Sequence, residues 1–537
     1  MTSRDLIQAA MRRDTVERIP WVPFVGAHGG HLIGVNATDY LKSSKLLIAG
    51  ITKAIELYKP DGLPIVFDLQ LEAEILGCEL EWAPENPPAV VSHPLSAGLS
   101  LTDLSVPQPE DGRLPVVLET ARHIRKTFSD LALYGLITGP FTLSLHLLGT
   151  EIFMHMLSEP DRVHQVFGFA TQVAKAMSDY YIDAGCDVIA LVDPMTSQIG
   201  PEQFRQFVTD PVTEIFQHIR ERGALSSFFV CGHAQQNVEA MCDCRPDNVS
   251  VDENIPLDFV RDVALEKAVS FGGNLQLTVV LLLGSPEDAQ HHAIECMNTG
   301  GTRGFILAPG CDLPYATPPD NIAAVAEVVH DPYVRDVTST LERSTAQQEL
   351  LDMSDYGKTD KVVVDVITLD SEACAPCQYM VEAVSPQFEN IVEWREHKIK
   401  HSDSVQFMTS LMVKNIPTIC IDGKITFVSR IPPKDELIAA IQKRIYEKWR
   451  YKIRLRKGEL LLFGNTPEEC EQVKPVLAQA IRELGADISI IDICDEQKRL
   501  DYGVPSTPAV VVAQYKIKCE GSVPSLAAVK EWIKEIG

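Results

Sequence analysis

Up to about residue 345, short apolar runs alternate with longer stretches in which apolar residues recur three and four positions apart. The runs are Trp21-Val22-Pro23-Phe24-Val25, Leu63 to Phe67, Leu131 to Ile137, Asp187 to Val192, Ser227 to Val230, Asn248 to Val251, Val269 to Gly272 and Gly304 to Leu307. Runs this short, bounded by Gly, Pro and Asp, predict buried strands. The intervening stretches, such as Glu202 to Arg222 and Pro286 to Met297, have the period of helices with one apolar face. Eight alternating units of this kind predict an α/β fold, a parallel (β/α)8 TIM barrel over residues 1–342. A short helix at residues 3–13, with Ser3 as its N-cap, precedes the first strand.

The residues just beyond these strands are polar or metal-capable. In order they are His28 and His31, Asp68 with Glu72, Thr138-Gly139-Pro140, Asp193-Pro194, Cys231-Gly232-His233, Asp252-Glu253, Gly273-Asn274 and Gly310-Cys311-Asp312. Loops at the carboxyl ends of barrel strands build the active site, so this clustering predicts a catalytic face. Helix capping by Asp and Asn alone accounts for more than half of these residues. Two stretches stand out, Ser226 to His233 and Gly304 to Cys311, because each is an apolar run that ends at Gly and Cys. In one barrel the two sulfurs meet at the same mouth. Cysteine also serves as a small buried hydrophobe, so packing alone is the bland alternative.

Polar residues dominate 343–360, the expected linker, and a new apolar strand opens at Val362. The module at 361–450 contains Cys374-Ala375-Pro376-Cys377 opening a helix, whose dipole stabilises a thiolate on the first cysteine. Cys374 is therefore the candidate attacking thiol and Cys377 the resolving one. Pro417, after Ile416, is a candidate cis-proline facing them. A further unit at 457–537 repeats the order strand, helix, strand, Pro-led strand and closing helix, which reads as a diverged tandem repeat.

Composition narrows the functional classes. The chain has 537 residues, with Lys+Arg 48 against Asp+Glu 74, a net charge of −26. Such a surface repels nucleic acid and anionic membranes, so neither is an expected partner. The N-terminus lacks a secretory pattern, and a cytoplasmic location is expected. Thirteen cysteines then read as thiols, metal ligands or redox pairs rather than as a disulfide framework.

The Cys-x-x-Cys with its later proline resembles the thioredoxin family. The last unit, through Val504-Pro505-Ser506-Thr507-Pro508, is similar to small thioredoxin-like proteins. Its thiol motif is degenerate, because Pro467 stands where the first cysteine belongs and only Cys470 remains. A packing or docking role is expected of it.

The barrel segments resemble the uroporphyrinogen decarboxylase superfamily: Phe67 to Glu74 with Leu76-Gly77-Cys78, Gly139-Pro140-Phe141-Thr142, Ala184 to Ile189, Asp193-Pro194, Val251-Asp252-Glu253, Gly273-Asn274-Leu275 and Ile306 to Pro314. Ala308-Pro309-Gly310-Cys311-Asp312-Leu313-Pro314 points to the corrinoid methyltransferase branch. That resemblance implies methyl transfer between a cobalamin, free or on a partner protein, and a thiol or tetrahydrofolate acceptor. It implies zinc held by Cys231 and Cys311. The third ligand in that branch is a histidine two residues before the first cysteine, where this chain has Phe229. His233 is the substitute candidate, with His28, His31 or Glu72 reaching from neighbouring strands. Asp68, Glu72, Asp193, Asp252 and Asn274 would line the corrinoid and acceptor pocket. Three alternatives stand beside this reading. One is a non-catalytic redox or corrinoid-binding protein with a metal-free barrel, and another a Cys231/Cys311 dithiol reduced by Cys374/Cys377. The third, a uroporphyrinogen decarboxylase, lacks arginines between Trp21 and His31 to receive the substrate's carboxylates.

Overall fold

The computed structural model describes residues 1–232, 234–340, 361–368, 380–381, 384–388, 391–399, 404, 407–408, 410–411, 413, 417–428, 432–455, 458–486, 488–502, 504, 506–512 and 516–536. The chain divides into two compact units, Met1–Lys434 and Asp435–Gly537. No helix among the described residues is long and apolar enough to cross a membrane.

In the first unit seven parallel strands are paired in sequence order: β1 (Gly62–Pro64), β2 (Ala132–Thr138), β3 (Val188–Val192), β4 (Leu225–Val230), β5 (Asn248–Val251), β6 (Ser270–Leu275) and β7 (Phe305–Pro309). The predicted first strand contracts to the segment around Trp21, which closes the ring. Val22 N donates to Leu307 O and Leu307 N to Pro20 O, both at 2.9 Å, while Asp61 N donates to Trp21 O at 2.8 Å. The TIM-like barrel therefore has its eighth member, bonded to β7 on one side and to the start of β1 on the other.

Strand residues are buried on both faces, which is why these segments read as unbroken apolar runs. Alternate side chains enter different cores. Ala190 and Val192 join Tyr134, Leu136, Phe229 and Ile306 inside the barrel, whereas Ile189 and Leu191 join the layer between sheet and helices.

The closing seam converges on Asp61, whose side chain is fully buried. It accepts a fork of two 2.7 Å bonds from Arg18, one of 2.9 Å from Trp21 N and one of 2.9 Å from Ser3 Oγ. Ser3 thus ties the first helix, α1 (Ser3–Met11), to the seam and is not its N-cap. Thr2 is, in a capping box with Asp5, because Thr2 alone has the extended backbone that a cap requires.

A second sheet in this unit, β8 (Val362–Thr368), β9 (Val392–Lys398), β10 (Thr418–Ile421) and β11 (Lys424–Val428), has the order β9-β8-β10-β11. In the second unit, β12 (Glu459–Phe463), β13 (Ser489–Ile493), β14 (Ala509–Val512) and β15 (Lys516–Glu520) have the order β13-β12-β14-β15. In each sheet the first pair is parallel and the other two antiparallel. The shared topology is that of a thioredoxin-like repeat. The Thr507–Pro508 peptide is cis, and Pro417 is buried. Cys374, Cys377, Ile416 and the linker at 343–360 lie outside the described residues.

Asp61→Ala leaves Arg18 and the Trp21 amide without their acceptor. It is expected to destabilise the barrel by about 3 kcal/mol, seen as a lower urea midpoint at unchanged slope. Asp61→Asn, which keeps two of the four bonds, is expected to lose less.

Candidate functional site

Cys231 follows β4 directly and Cys311 follows β7 by two residues, and their sulfurs lie 2.8 Å apart. The two cysteines that opened the functional reading therefore meet. Each is held by its neighbours. Gly232 turns the chain at φ +89°, a conformation open chiefly to glycine, and its N–H donates to Asp252 Oδ2 at 2.5 Å. Asp252 also accepts from Asn254 N and Nδ2 at 3.0 and 2.8 Å. Asn274 Nδ2 donates to the carbonyls of Asp252 and Ile255 at 3.2 and 2.8 Å, so the ends of β4, β5 and β6 are tied together. On the other side, Gly310 N donates to Leu275 O, and Asp312 Oδ1 accepts from Gly26 N at 2.7 Å. A Cβ at Gly310 would fall 2.1 Å from Glu253 Oε2 and 3.1 Å from Glu253 N, so the Glu253 carboxyl packs closely against the residue before Cys311.

The surroundings of the pair are acidic. The Cys231 thiol is pushed well above its ordinary pKa by its hydrogen bond to Cys311, then by burial, then by the charges of Cys311, Asp252 and Glu253. Burial raises Asp252 to about 6, against the pull of Gly232 and Asn254. Burial and the neighbouring Asp252 charge raise Glu253 to about 8. Glu253 Oε1 accepts from Leu277 N at 3.1 Å, whereas the buried Oε2 has no hydrogen-bond partner among the described residues.

Phe229 occupies the position where the resemblance places a histidine. Its ring packs against Phe24 and Phe67, with centroids 5.1 and 5.9 Å away, and Phe24 and Phe67 are themselves 6.0 Å apart. These rings, with Tyr134, Leu136, Ser227, Asn248 and others, line a small apolar cavity inside the barrel. An apolar floor thus replaces the third donor. Two thiolates on one tetrahedral zinc, at about 2.3 Å each, stand roughly 3.7 Å apart. The pair would open by about 1 Å to hold such an ion. The two sulfurs are donors of the right kind for such an ion. Among the described residues no third His, Cys, Asp or Glu completes a metal-binding group, and His233 lies outside them.

The remaining candidates are engaged with the scaffold. Asp68 accepts from Arg113 Nη1 at 2.6 Å and from Gln70 N at 2.9 Å. Arg113 also binds Glu74 at 2.6 Å. Sequence reasoning missed this arginine, which lies at the start of a helix 45 positions from Asp68. Glu72 faces Thr138, accepting from its N at 2.9 Å and its Oγ1 at 2.8 Å. Asp193 caps α2 (Pro140–Leu148), accepting from Phe141 N, Thr142 N and Thr142 Oγ1. His28 bonds Tyr58 Oη at 2.7 Å and Tyr315 O at 3.0 Å, and burial lowers it to about 4.

The family profile for Uroporphyrinogen decarboxylase (URO-D) matches residues 2–332. The chain belongs to that family. A Thioredoxin domain profile matches residues 459–534, the second of the two small sheets. Relatives of this URO-D member include the Methylcobamide:CoM methyltransferase MtbA of Methanosarcina acetivorans, 24% identical over 338 residues, 61% of this chain and 97% of that protein. The Uroporphyrinogen decarboxylase of Anaeromyxobacter dehalogenans is 27% identical over 349 residues, 62% of this chain and 99% of that protein. A solved methyltransferase from Methanosarcina mazei shares the barrel fold, with a TM-score of 0.57 at 24% identity over 63% of this chain and 100% of that one.

Within this URO-D barrel, Glu72 is pushed from its ordinary 4.5 to about 7, chiefly by burial and against the Thr138 hydrogen bonds. A carboxyl raised in the folded state keeps its proton where the unfolded chain gives it up. Its contribution is present below pH 4.5 and is lost as pH rises through 7. Gln imitates the protonated form, donating to Thr138 Oγ1 while that hydroxyl donates to Leu69 O. Glu72→Gln is therefore expected to gain up to about 3 kcal/mol relative to the parent between pH 5 and pH 8. Paired denaturant titrations at the two pH values check this, and a difference that does not change with pH rules it out.

Proposed function

We propose that the barrel is a methyltransferase that moves a methyl group from a corrinoid to the sulfur of a small thiol. The observation that carries this reading is the convergence of Cys231 and Cys311 at the carboxyl ends of β4 and β7, 2.8 Å apart in an acidic pocket. It is supported by MtbA and by a Methylated-thiol--coenzyme M methyltransferase of Methanosarcina mazei, 29% identical over 265 residues. The activities for which these relatives are named put a thiol, coenzyme M, ahead of tetrahydrofolate as the acceptor. The chain has no Asp-x-His-x-x-Gly cobalamin motif, so the corrinoid is a substrate that arrives free or on another protein.

Cys231 and Cys311 would hold a zinc ion, which when bound makes an incoming thiol acidic enough to react as a thiolate. Asp252, through Gly232, and Asp312, through Gly26, fix the loops that aim the two sulfurs. The rings of Phe24, Phe67 and Phe229 share an apolar cluster with the two cysteines. A decarboxylase is disfavoured, because it needs free cations for a polycarboxylate. Arg4, Arg18 and Arg113 are already paired with Asp187, Asp61 and Asp68.

Anaerobically purified protein is expected to carry close to one zinc and to demethylate methylcobalamin with coenzyme M as acceptor. Cys231→Ser and Cys311→Ser are each expected to lose the metal and slow transfer by at least about a hundredfold. Transfer at the parental rate in both variants would sink the proposal, as would turnover of uroporphyrinogen in place of methylcobalamin.

A further inference from the structure

The C-terminal sheet lost one cysteine of its thioredoxin-like motif but has a second thiol beside the one that remains. Cys470 lies in the first turn of α3 (Pro467–Leu484) and is buried, its Sγ 3.8 Å from Leu462 O. Cys494, the first residue after β13, is exposed, and its Sγ lies 3.8 Å from that of Cys470. Strand pairing explains the meeting. β12 and β13 are parallel with Phe463 opposite Ile493, and Gly464 N donates to Ile493 O at 3.1 Å. The residue after β13 therefore stands beside the loop that leads into α3, where Pro467 has replaced the outer thiol. A Cβ at Gly464 would lie 2.7 Å from Cys470 Sγ, so the loop passes directly over the buried sulfur. Thr507 meets the same place, donating to Glu469 at 3.1 and 3.0 Å.

We propose that Cys470 and Cys494 are a dithiol–disulfide couple that reduces small disulfides, with the outer thiol moved from the helix start to the end of the neighbouring strand. This goes beyond the methyl-transfer reading and does not depend on it. The Cys494 thiolate attacks one sulfur of a disulfide R–S–S–R. A Cys494–S–S–R bond forms, and the expelled thiolate takes up the proton that Cys494 lost. Cys470 then gives up its proton and attacks Cys494 Sγ. The Cys470–Cys494 bond forms and the second R–SH leaves. Two electrons pass from the protein to the substrate, and an external dithiol returns them. The sulfurs close from 3.8 Å to about 2.05 Å, a movement within reach of side-chain rotation. Burial, with the neighbouring Cys494, Asp492 and Glu469, pushes Cys470 up to about 12, so little thiolate is present on it to start the exchange.

The test uses the full, reduced chain and 2-hydroxyethyl disulfide, a small uncharged probe, followed by alkylation and peptide mass mapping. The parent is expected to give a linked Cys470–Cys494 peptide and little hydroxyethylthio adduct. Cys470→Ala is expected to trap that adduct on Cys494, at about ten times the parental level. Cys494→Ala is expected to leave Cys470 reduced. A parental adduct on Cys494 as abundant as in Cys470→Ala, or a parental map without the linked peptide, overturns the proposal. Because Cys494 is exposed, the parental map and Cys494→Ala decide the matter even if Cys470→Ala does not fold.

Discussion

The barrel depends on one seam. Seven parallel strands leave two open edges, β7 on one side and β1 on the other, each with a row of unpaired backbone groups. The Pro20–Val22 segment satisfies both. Asp61 holds that segment by gathering α1, Arg18 and the Trp21 amide onto one buried carboxylate. The same seam sets the position of Cys311, since the chain that runs on from Val22 carries Gly26 to Asp312 and Phe24 O to Leu313 N. Ring closure and the placing of the second sulfur are thus one event. The first sulfur depends on it indirectly, through β5 and β6, whose ends are joined by Asn274 and Asp252.

Most buried carboxylates of the barrel are bonded to the scaffold that surrounds them. Asp61 closes the ring. Asp68 and Glu74 share Arg113, Asp193 caps α2, and Asp187 joins Arg4 and Arg125 to the Leu133 amide. A buried charge without partners costs several kcal/mol, so a barrel rich in acidic strand ends has to supply donors for nearly all of them. Glu253 stands apart. One of its oxygens is buried with no donor among the described residues, and it stands against Gly310, the residue before Cys311. Which of these carboxyls is fully bonded depends on the fold, and composition alone does not reveal it.

The barrel was legible because its strands are buried on both faces, and seven of the eight expected runs fall on observed strands. The eighth is short because only residues 20–22 run along β7 before the chain turns inward at Phe24. The meeting of Cys231 and Cys311 was legible for the same reason: both follow barrel strands, and all barrel strands end at one face. Contacts set by pairing rather than by motif were not legible. Arg113 reaches Asp68 from the start of a helix that precedes β2, and no local spacing announces it. Cys494 lies 24 positions from Cys470, in no Cys-x-x-Cys arrangement. Only the parallel register of β12 and β13 brings its sulfur to the place that Pro467 vacated. Ser3 was misassigned by one residue because Thr2 and Ser3 are both good caps, and the backbone geometry chose between them.

Replacing a histidine-type donor with Phe229 changes the electrostatics of the thiol pair as well as its ligand count. The three rings that share a cluster with the sulfurs are weakly polarisable compared with water, so ionising the buried Cys231 thiol there costs more than it would at an open mouth. Asp252 and Glu253 add negative potential, and both are themselves raised in pKa. Two thiolates and two carboxylates therefore cannot all be charged in this pocket without a compensating positive charge. Either protons remain on the group, as in the 2.8 Å sulfur contact, or a cation replaces them. The apolar floor strengthens that alternative by removing the water that would otherwise screen the four groups. The same substitution that takes away a donor raises the electrostatic demand for a cation between the remaining two.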